Sequence, residues 1–352
     1  MRSIYNIQQA SPPSSGDWVI NTLVVVENEE YIINGSILIE SGGALVLKNS
    51  TLYMNLDHDG QYRIVVYNGG NLTMHNSTIT AYNTSNNYYI NVQQGAVFYM
   101  ENSEISYAGY NSTYPGLSIK TDNVRIINSM IHHNYIGILF SGSSLLVKDS
   151  KVFNSANKGI YIDAGGSNIT IRNTTVTNNT IGIYFNARFQ NVKNIALEDL
   201  IVENNQNGGI IGYYDTFWKT YCENVTIVNS VIRHNGIGIR MGGEGFIRIV
   251  NVSVYNNSGD GAVFKTHQTS LNVTIVNSSF NHNNGTGLSI SFASYYGPIY
   301  AQLYNVSVIG NNATGVYFRC TTATVVNTVV ESNNGIGITF AVDSKIYMKN
   351  VA

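Results

Sequence analysis

The chain has 352 residues, of which only 11% are charged, and its 19 Lys and Arg nearly balance its 21 Asp and Glu. In soluble domains about a quarter of all residues are usually charged. The near-neutral balance argues against a dedicated nucleic-acid-binding protein, because such proteins need an excess of basic residues to contact phosphates. The 48 asparagines supply neutral polarity instead, and a hydrophobic fraction of 43% argues against a disordered polar tract.

Residues 1–40 contain three short apolar runs, LVVV, YIING and ILIE, that are typical of strands. They precede a long repeat, and we expect them to form first strands and an N-terminal cap, because stacked strands expose an open edge that needs cover. The first 18 residues lack the apolar core of a signal peptide. If the protein is exported, we therefore expect its leader to belong to a longer precursor.

Residues 41–352 repeat one pattern every 21 to 30 residues: apolar, any, apolar, any, Asn, any, any, apolar. Copies include LVLKNSTL, LTMHNSTI, ITIRNTTV and VTIVNSVI. The fifth position, which we call the anchor, is occupied by Asn49, Asn76, Asn102, Asn128, Asp149, Asn173, Asp199, Asn229, Asn251, Asn277, Asn305, Asn327 and Asn350. The spacing of two predicts strands with one buried face, and the long period predicts a solenoid.

A second asparagine follows the anchor by six residues in eight of the nine coils between Asn128 and Asn327, with Ser155 as the exception. A glycine and another apolar pair come next, which indicates short strands separated by tight bends. Stacked coils lie about 4.8 Å apart, so like amide side chains can donate to and accept from one another along a column. Asparagine also tolerates left-handed backbone angles, and we predict asparagine ladders at the bends.

With this pattern the chain resembles the right-handed parallel β-helix superfamily, which includes pectin-lyase-like enzymes, viral tailspikes and NosD-like surface proteins. The resemblance covers residues 41–352. It implies an all-β fold, a single-stranded right-handed parallel β-helix of about 12–13 coils. The chain stops two residues after its last anchor, so we expect either a continuation of the natural protein or a partner that covers this end.

Enzymatic activity is the alternative function that the resemblance raises. Superfamily members that act on polygalacturonate carry Asp-Asp, Gly-His-Gly and Arg-Ile-Lys motifs, and these three are absent from this chain. Stacking could still bring together carboxylates from neighbouring coils for a polysaccharide hydrolase or lyase. The candidate catalytic residues lie where the loops are longest: Asp215, Glu244, Asp260 and His267. Solvated loop charge is the favoured interpretation, and the prediction leans towards a non-catalytic protein.

Aromatic loops are the most suggestive functional feature of the sequence. Two segments, IGYYDTFWKTYCE and SFASYYGPIY, contribute Tyr213, Tyr214, Phe217, Trp218, Tyr221, Tyr295 and Tyr296. Aromatic rings stack on sugar faces, so two such loops on one edge predict a glycan-binding groove about 14 Å long. The alternative is that the rings pack back onto the solenoid wall.

An apolar stripe indicates a protein partner. The position before the anchor should point outward, and it is apolar in five consecutive coils: Val228, Val250, Val276, Tyr304 and Val326. Such a stripe marks either an interface, for a homo-oligomer or an envelope protein, or a surface covered by the long loops. A viral fibre or spike protein would use it as a seam between subunits.

Modification sites and ligands give weaker signals. Asn-x-Ser/Thr sequons outside the anchors predict N-glycosylation at Asn83, Asn111, Asn284 and Asn312. The segment NLDHDG contains too few ligands for a calcium loop, so no metal and no cofactor are expected. Cys222 and Cys320 are predicted to be free thiols, since four coils separate them.

Compartment follows from composition. The sequence contains no run of 18 apolar residues, so no membrane span is expected within it. Few titrating groups make stability less dependent on pH, and in composition the chain resembles secreted or envelope proteins of thermoacidophilic archaea. The sequence therefore predicts an extracellular or cell-surface scaffold that recognises glycans or proteins.

Overall fold

The computed structural model describes residues 11–214, 220–266, 270–292 and 299–352. These residues form strands, bends and turns, and no helix occurs among them. Accordingly, the described part of the chain contains no helix long and apolar enough to cross a membrane. The chain divides into two compact units, Met1–Asn157 and Lys158–Ala352.

The first unit contains strands that recur in groups of three. Its strands are β1 (Trp18–Ile20), β2 (Leu23–Glu27), β3 (Glu30–Ile33), β4 (Ile37–Ile39), β5 (Ala44–Lys48), β6 (Thr51–Met54), β7 (Arg63–Val66), β8 (Asn71–His75), β9 (Thr78–Ala81), β10 (Tyr89–Val92), β11 (Val97–Glu101), β12 (Glu104–Ser106), β13 (Gly116–Ile119), β14 (Val124–Ile127), β15 (Met130–His132), β16 (Ile136–Phe140), β17 (Ser143–Lys148) and β18 (Lys151–Phe153). Each strand pairs in parallel with the strand three places later, as β1 does with β4, β2 with β5 and β3 with β6. This pairing produces three parallel sheets, which we number 1, 2 and 3 in the order in which the chain enters them.

The second unit repeats the arrangement. Its strands are β19 (Lys158–Ile162), β20 (Ser167–Arg172), β21 (Thr175–Thr177), β22 (Ile181–Ala187), β23 (Val192–Glu198), β24 (Ile201–Glu203), β25 (Gly208–Tyr214), β26 (Cys222–Val228), β27 (Val231–Arg233), β28 (Ile237–Val250), β29 (Ser253–Tyr255), β30 (Ala262–Thr266), β31 (Leu271–Val276), β32 (Ser279–Asn281), β33 (Leu288–Phe292), β34 (Ile299–Tyr304), β35 (Ser307–Ile309), β36 (Val316–Arg319), β37 (Thr321–Glu331), β38 (Ile338–Ala341) and β39 (Lys345–Val351). Strand β28 runs through sheets 1 and 2, and β37 runs through sheets 2 and 3.

Alternation of residues along each strand creates the core. In β5 the side chains of Leu45 and Leu47 are fully buried, while the residues beside them are not. Leu45 pairs in register with Leu72, which pairs in turn with Phe98, so each inward position continues as a column of apolar side chains. Each inward side chain packs against the equivalent side chains of the neighbouring coils and against the other sheets. The core is therefore covered without a helix. The predicted single-stranded right-handed parallel β-helix is confirmed.

The anchor asparagines form the predicted exposed ladder. They adopt left-handed backbone angles, for example φ 51° at Asn49 and 48° at Asn76. The side-chain nitrogen of Asn76 donates to the side-chain oxygen of Asn49 at 3.1 Å, and Asn49 donates to Asn28 at the same distance. Asparagine is favoured here because its short amide bonds along the column and tolerates positive φ.

The second asparagine column is buried. Asn205, Asn235, Asn257, Asn283 and Asn311 are at most 1% exposed, and each donates from its side-chain nitrogen to the side-chain oxygen one coil later. The same oxygen also accepts the backbone N–H of the preceding asparagine. This column therefore satisfies the polar backbone at a bend inside the core.

Near the N-terminus, strands already pair as in the rest of the first unit. Because β1, β2 and β3 pair with β4, β5 and β6, residues 18–33 belong to the stack itself. Residues 1–10 lie outside the described residues, and a cap within residues 1–40 stays a prediction. Cys222 and Cys320 are free thiols, as expected.

Candidate functional site

Sheet 1 of the second unit presents tyrosines on its outer surface. Tyr161 of β19 pairs in register with Tyr184 of β22, and Asn186 of β22 pairs with Tyr213 of β25. Their inward neighbours, such as Ile160 and Ile183, are fully buried, so the tyrosines must point outward. We call the outward positions of this sheet, from Lys158 to Arg319, the tyrosine face.

A hydrogen-bond network fixes the first two coils of the tyrosine face. The hydroxyl of Tyr161 donates to the carboxylate of Asp163 at 3.2 Å. The side-chain nitrogen of Asn186, one coil later, donates to the Tyr161 hydroxyl at 2.9 Å and to Asp163 at 2.8 Å. The two rings of Tyr161 and Tyr184 meet edge to face, with centroids 5.3 Å apart. These contacts hold both rings in fixed orientations before any ligand arrives.

Lys158 adds a cation to these rings. Its ammonium nitrogen lies 5.1 Å from the ring centroids of both Tyr161 and Tyr184, a distance at which the negative ring face attracts a cation. Burial lowers the pKa of Lys158. Burial also raises the pKa of Tyr184 to about 12 and raises the pKa of Tyr161 well above its usual value. Both phenols therefore stay protonated and can donate hydrogen bonds at neutral pH.

Further cations continue along the tyrosine face. Ile211, which follows Tyr184 in register, pairs with Arg240. A second column on the same sheet runs through Gly242, Lys265, Ser291 and Arg319. Arg240 and Arg319 are exposed and Lys265 is half-buried. The seven strands from β19 to β36 span about 29 Å at the usual coil spacing. This length gives the second unit an elongated surface with cations and phenols.

The predicted aromatic residues have three outcomes. Tyr213 is 42% exposed and lies on the tyrosine face. Tyr221 is fully buried, so its predicted role in ligand contact is wrong: the ring packs inside the solenoid, where a surface glycan cannot reach it. The side chains of Tyr214, Phe217, Trp218, Tyr295 and Tyr296 lie outside the described residues, and the groove predicted between their loops stays a prediction.

Two of the four candidate catalytic residues, Glu244 in β28 and Asp260, lie within the described residues. Glu244 pairs in register with Glu223, whose carboxylate is held by Lys193 at 3.0 Å. Asp260 lies in the bend before β30 and accepts the backbone N–H of Thr286 at 2.9 Å. Asp215 and His267 lie outside the described residues. No group of three or more His, Cys, Asp or Glu side chains in the described ranges is arranged to hold a metal ion.

The apolar stripe forms a continuous column on sheet 2 of the second unit. Val228 pairs with Val250, and the column continues through Val276 and Tyr304 to Val326. All five side chains are half-buried or, for Tyr304, 36% exposed. Its role as an interface stays a prediction, which sedimentation velocity can test by the presence or absence of dimers or larger assemblies.

The sequons differ in how free their amides are. Asn83 is exposed and uses its side-chain oxygen to close a turn with Ser85, and Asn111 closes a similar turn. Asn312 donates its side-chain nitrogen to Asn284 at 2.8 Å in a further exposed ladder. Asn284 and Asn312 are held in that ladder, whereas Asn83 is exposed outside it, so Asn83 offers the best acceptor of the four. Occupancy stays a prediction.

The tyrosine face could have been found from the sequence by one further pattern. In the motifs GIYI, GIYF and GVYF a tyrosine follows the glycine by two residues and has an apolar residue on each side. These tyrosines are Tyr161, Tyr184 and Tyr317. The two apolar residues of each motif point into the core, and the tyrosine between them points outward. Lys158 gives no comparable signal, because its contacts with both rings depend on the stacking of two coils.

Comparison with known proteins concerns the fold. The sequence matches the family model of the right handed beta helix region over residues 62–217 and 217–351. No curated protein matches the chain. The fold is similar to that of the periplasmic alginate epimerase AlgG, with 12% identity, a TM-score of 0.58, and coverage of 91% of this chain and 78% of that chain. It is also similar to the A-module of the Azotobacter vinelandii mannuronan C-5 epimerase AlgE6, with 15% identity, a TM-score of 0.54, and coverage of 94% and 90%. At these identities the likeness shows the fold alone.

Proposed function

This chain belongs to the right-handed β-helix family, and we propose that it binds an extended acidic polysaccharide on the tyrosine face of its second unit. One observation carries the proposal: the Lys158 ammonium lies over the rings of Tyr161 and Tyr184 on the outer surface of two successive coils. The epimerases of similar fold act, by their names, on alginate or mannuronan. The support for this chain comes from its own residues, because fold and function are separable.

Phenol rings and amides match the chemistry of sugars. A sugar ring has an apolar C–H face that packs against an aromatic ring, while its hydroxyls need donors and acceptors. The tyrosine face offers the rings of Tyr161, Tyr184 and Tyr213 together with the Asn186 amide. Since the coils repeat at a constant spacing, a repetitive polymer can meet similar groups in successive coils.

The charges favour an acidic polymer. Lys158, Arg240, Lys265 and Arg319 all point outward from sheet 1, whereas the whole chain has a formal net charge of −2. The carboxylate of Asp163 is already hydrogen-bonded by Tyr161 and Asn186. Local excess of positive charge attracts polyanions and makes their binding sensitive to salt.

Binding without cleavage is the favoured form of this function. Glycoside hydrolysis generally needs two carboxyl groups that flank the scissile bond. Among the described outward residues of the tyrosine face, Asp163 is the one carboxylate, and Glu244 belongs to the sheet 2 part of β28 beside Glu223. We therefore place the protein among recognition scaffolds, with an extracellular or cell-surface location where such polymers occur.

Affinity electrophoresis tests the proposal. The purified protein is run in native gels that contain polygalacturonate, alginate or the neutral polymer dextran, and its mobility is compared with that in plain gels. We expect retardation by at least one acidic polymer, no retardation by dextran, and weaker retardation as salt rises. Incubation of the same polymers with the protein should leave their chain length unchanged.

Matched variants locate the site. Tyr161→Ala combined with Tyr184→Ala should abolish retardation, whereas Tyr255→Ala removes a tyrosine from sheet 3 of the same unit and should have no effect. Retardation that survives the double substitution contradicts the proposed site. Retardation by dextran alone contradicts the acidic polymer.

A further inference from the structure

A cavity in the first unit has no part in the tyrosine face. Loops after β6, β9 and β12, together with the bends after β15 and β18, line an open cavity of about 340 Å³ where sheet 3 leads into sheet 1. We call this cavity the loop pocket. Its wall includes Asp59, Asn87, Tyr107, Tyr110 and His133. It therefore joins loops from several coils, as small-molecule sites commonly do.

Tyr107 is held in a costly backbone conformation at this wall. Its φ is 57°, in the left-handed region, which is unusual for a bulky residue. The corresponding bends of the next coils place His133 and Asn154 there, with φ 53° and 54°. The Tyr107 ring stacks on His133, with centroids 5.0 Å apart and planes at 14°. The bend therefore requires a positive φ in coil after coil, and at this coil the residue that meets the requirement also supplies an aromatic ring.

A chain of side chains fixes His133. Glu104 lies 3.1 Å from Nε2 of His132, and Nδ1 of His132 lies 2.6 Å from Nδ1 of His133. Asn154 contacts Nε2 of His133 at 3.2 Å. With Asn154 as the donor, one consistent direction of hydrogen bonds runs through His133 and His132 to the Glu104 carboxylate. His133 thus presents a neutral ring of fixed orientation.

A carboxylate and an amide side chain both lie at the loop pocket. Asp59 accepts the backbone N–H of Asn87 at 2.7 Å with one carboxylate oxygen. Asn134, which also lines the cavity, is 2% exposed, and its side-chain nitrogen donates no hydrogen bond within the described residues. The reason is that Ser155 stands where later coils have the accepting asparagine. The Asn134 nitrogen is itself buried, so the missing bond interrupts the ladder behind the pocket wall and leaves the ligand contacts to the exposed side chains.

We propose that the loop pocket binds a neutral sugar unit of mono- or disaccharide size. The volume is near the lower end of small-molecule sites, which run from about 300 to 1,000 Å³. No lysine or arginine is present among its described lining residues, and Asp59 accepts hydroxyl donors while repelling anions. The ring of Tyr107 offers an apolar wall to the C–H face of a sugar, and the Asp59 carboxylate accepts hydrogen bonds from its hydroxyls. This site does not depend on the tyrosine face.

Saturation-transfer NMR tests the proposal with defined probes. The panel contains the methyl glycosides of glucose, galactose and mannose, with galacturonate as an anionic probe and glucosamine as a cationic one. We expect transfer to at least one neutral glycoside and weaker transfer to both charged probes. Stronger transfer to galacturonate or glucosamine, or none to the neutral panel, overturns the proposal.

Two substitutions in equivalent bends separate binding from folding. Tyr107→Asn removes the ring but places the residue that this backbone conformation favours, so the variant should fold at least as well as the natural protein. It should weaken binding of the neutral glycoside about tenfold. His282→Asn makes the same kind of change in the second unit and should leave binding unchanged. Unweakened binding by Tyr107→Asn overturns the proposal.

A third variant distinguishes the two sites. The double substitution Tyr161→Ala and Tyr184→Ala should leave transfer to the neutral glycoside intact. If acidic polysaccharides fail to retard the natural protein while the glycoside signal remains, the tyrosine face is wrong and the loop pocket stands. Loss of the glycoside signal in the double variant places sugar binding at the tyrosine face and overturns the loop pocket.

Discussion

The side-chain nitrogen of Asn205 lies 2.9 Å from the side-chain oxygen of Asn235 one coil later, and both residues are buried. The same oxygen accepts the backbone N–H of Asn205 at 3.0 Å. One amide therefore satisfies two buried donors of the coil before it. This relationship makes the buried column a stabilising element of the core rather than a consequence of composition.

Asn235→Ala should be strongly destabilising. The substitution leaves the buried backbone N–H of Asn205 without its acceptor and removes one of the acceptors of the Asn205 side-chain nitrogen, together with the bonds that Asn235 itself makes. The expected cost is about 2–5 kcal/mol in the free energy of unfolding. Urea denaturation measures the loss. Asn229→Gly, in the exposed anchor column of the same coil, keeps the positive φ and should change stability by about 1 kcal/mol or less. Equal losses in the two variants would contradict a special role for the buried column.

Ser155→Asn should stabilise the first unit. The new amide oxygen would lie where other coils accept the side-chain nitrogen of the preceding asparagine, so Asn134 gains its missing partner. The expected gain is about 1 kcal/mol, the net value of an ordinary hydrogen bond. Thermal unfolding checks it, with Ser155→Ala as the control that supplies no acceptor. A melting temperature no higher than that of the natural protein would count against the ladder as described.

Mild acid should destabilise the loops around the loop pocket. Partial burial, and then the charge of nearby His132, lower the pKa of His133, while the hydrogen bond from His132 lowers the pKa of Glu104. Because both pKa values are lower in the folded chain than in the unfolded chain, the unfolded chain binds more protons than the folded chain as pH falls. Stability is therefore fully present above about pH 6.5, falls through the folded-state pKa of His133, and falls again below about pH 4.3 as Glu104 protonates.

Melting temperatures between pH 7.5 and pH 4 test this dependence. His133→Asn removes the first titrating group and keeps a residue suited to positive φ, so its curve should be flatter between pH 6.5 and pH 5. His234→Asn, in the equivalent bend of the second unit, should show the same dependence of melting temperature on pH as the natural protein. Identical curves for His133→Asn and the natural protein would show that His133 does not carry the effect.

The two thiols should differ in reactivity. Burial raises the pKa of Cys222 to about 12, whereas Cys320 is partly exposed. Since the thiolate is the reactive form, a disulfide reagent at pH 8 should modify Cys320 in the native protein and both thiols after denaturation. Mass spectrometry of the modified peptides reads out the sites. Fast modification of Cys222 in the native state would contradict its burial.

The stack could be predicted because its causes are local and repeated. Each coil carries the alternation that buries residues such as Leu45 and Leu47, and the anchor asparagines recur where the backbone needs positive φ. These signals reinforce one another along the chain. The ladders and free thiols follow from the same register.

The tyrosine face and the loop pocket depend on contacts between coils, which a linear pattern does not display. Lys158 reaches Tyr184 across a whole coil, and His133 meets Tyr107 from another bend. Tyr221 shows the converse error, since its aromatic segment suggested exposure while its ring turns into the core. Outward positions carry function in this fold, and their partners are fixed only by the register of the stack.

Hydroxyl-radical footprinting with an acidic polysaccharide tests the central claim most directly. The protein is oxidised with and without saturating polygalacturonate or alginate, and modification of each tyrosine is read by mass spectrometry. Binding on the tyrosine face predicts protection of Tyr161, Tyr184 and Tyr213, with Tyr255 modified equally in both samples. Protection elsewhere with these three tyrosines unchanged would contradict the account.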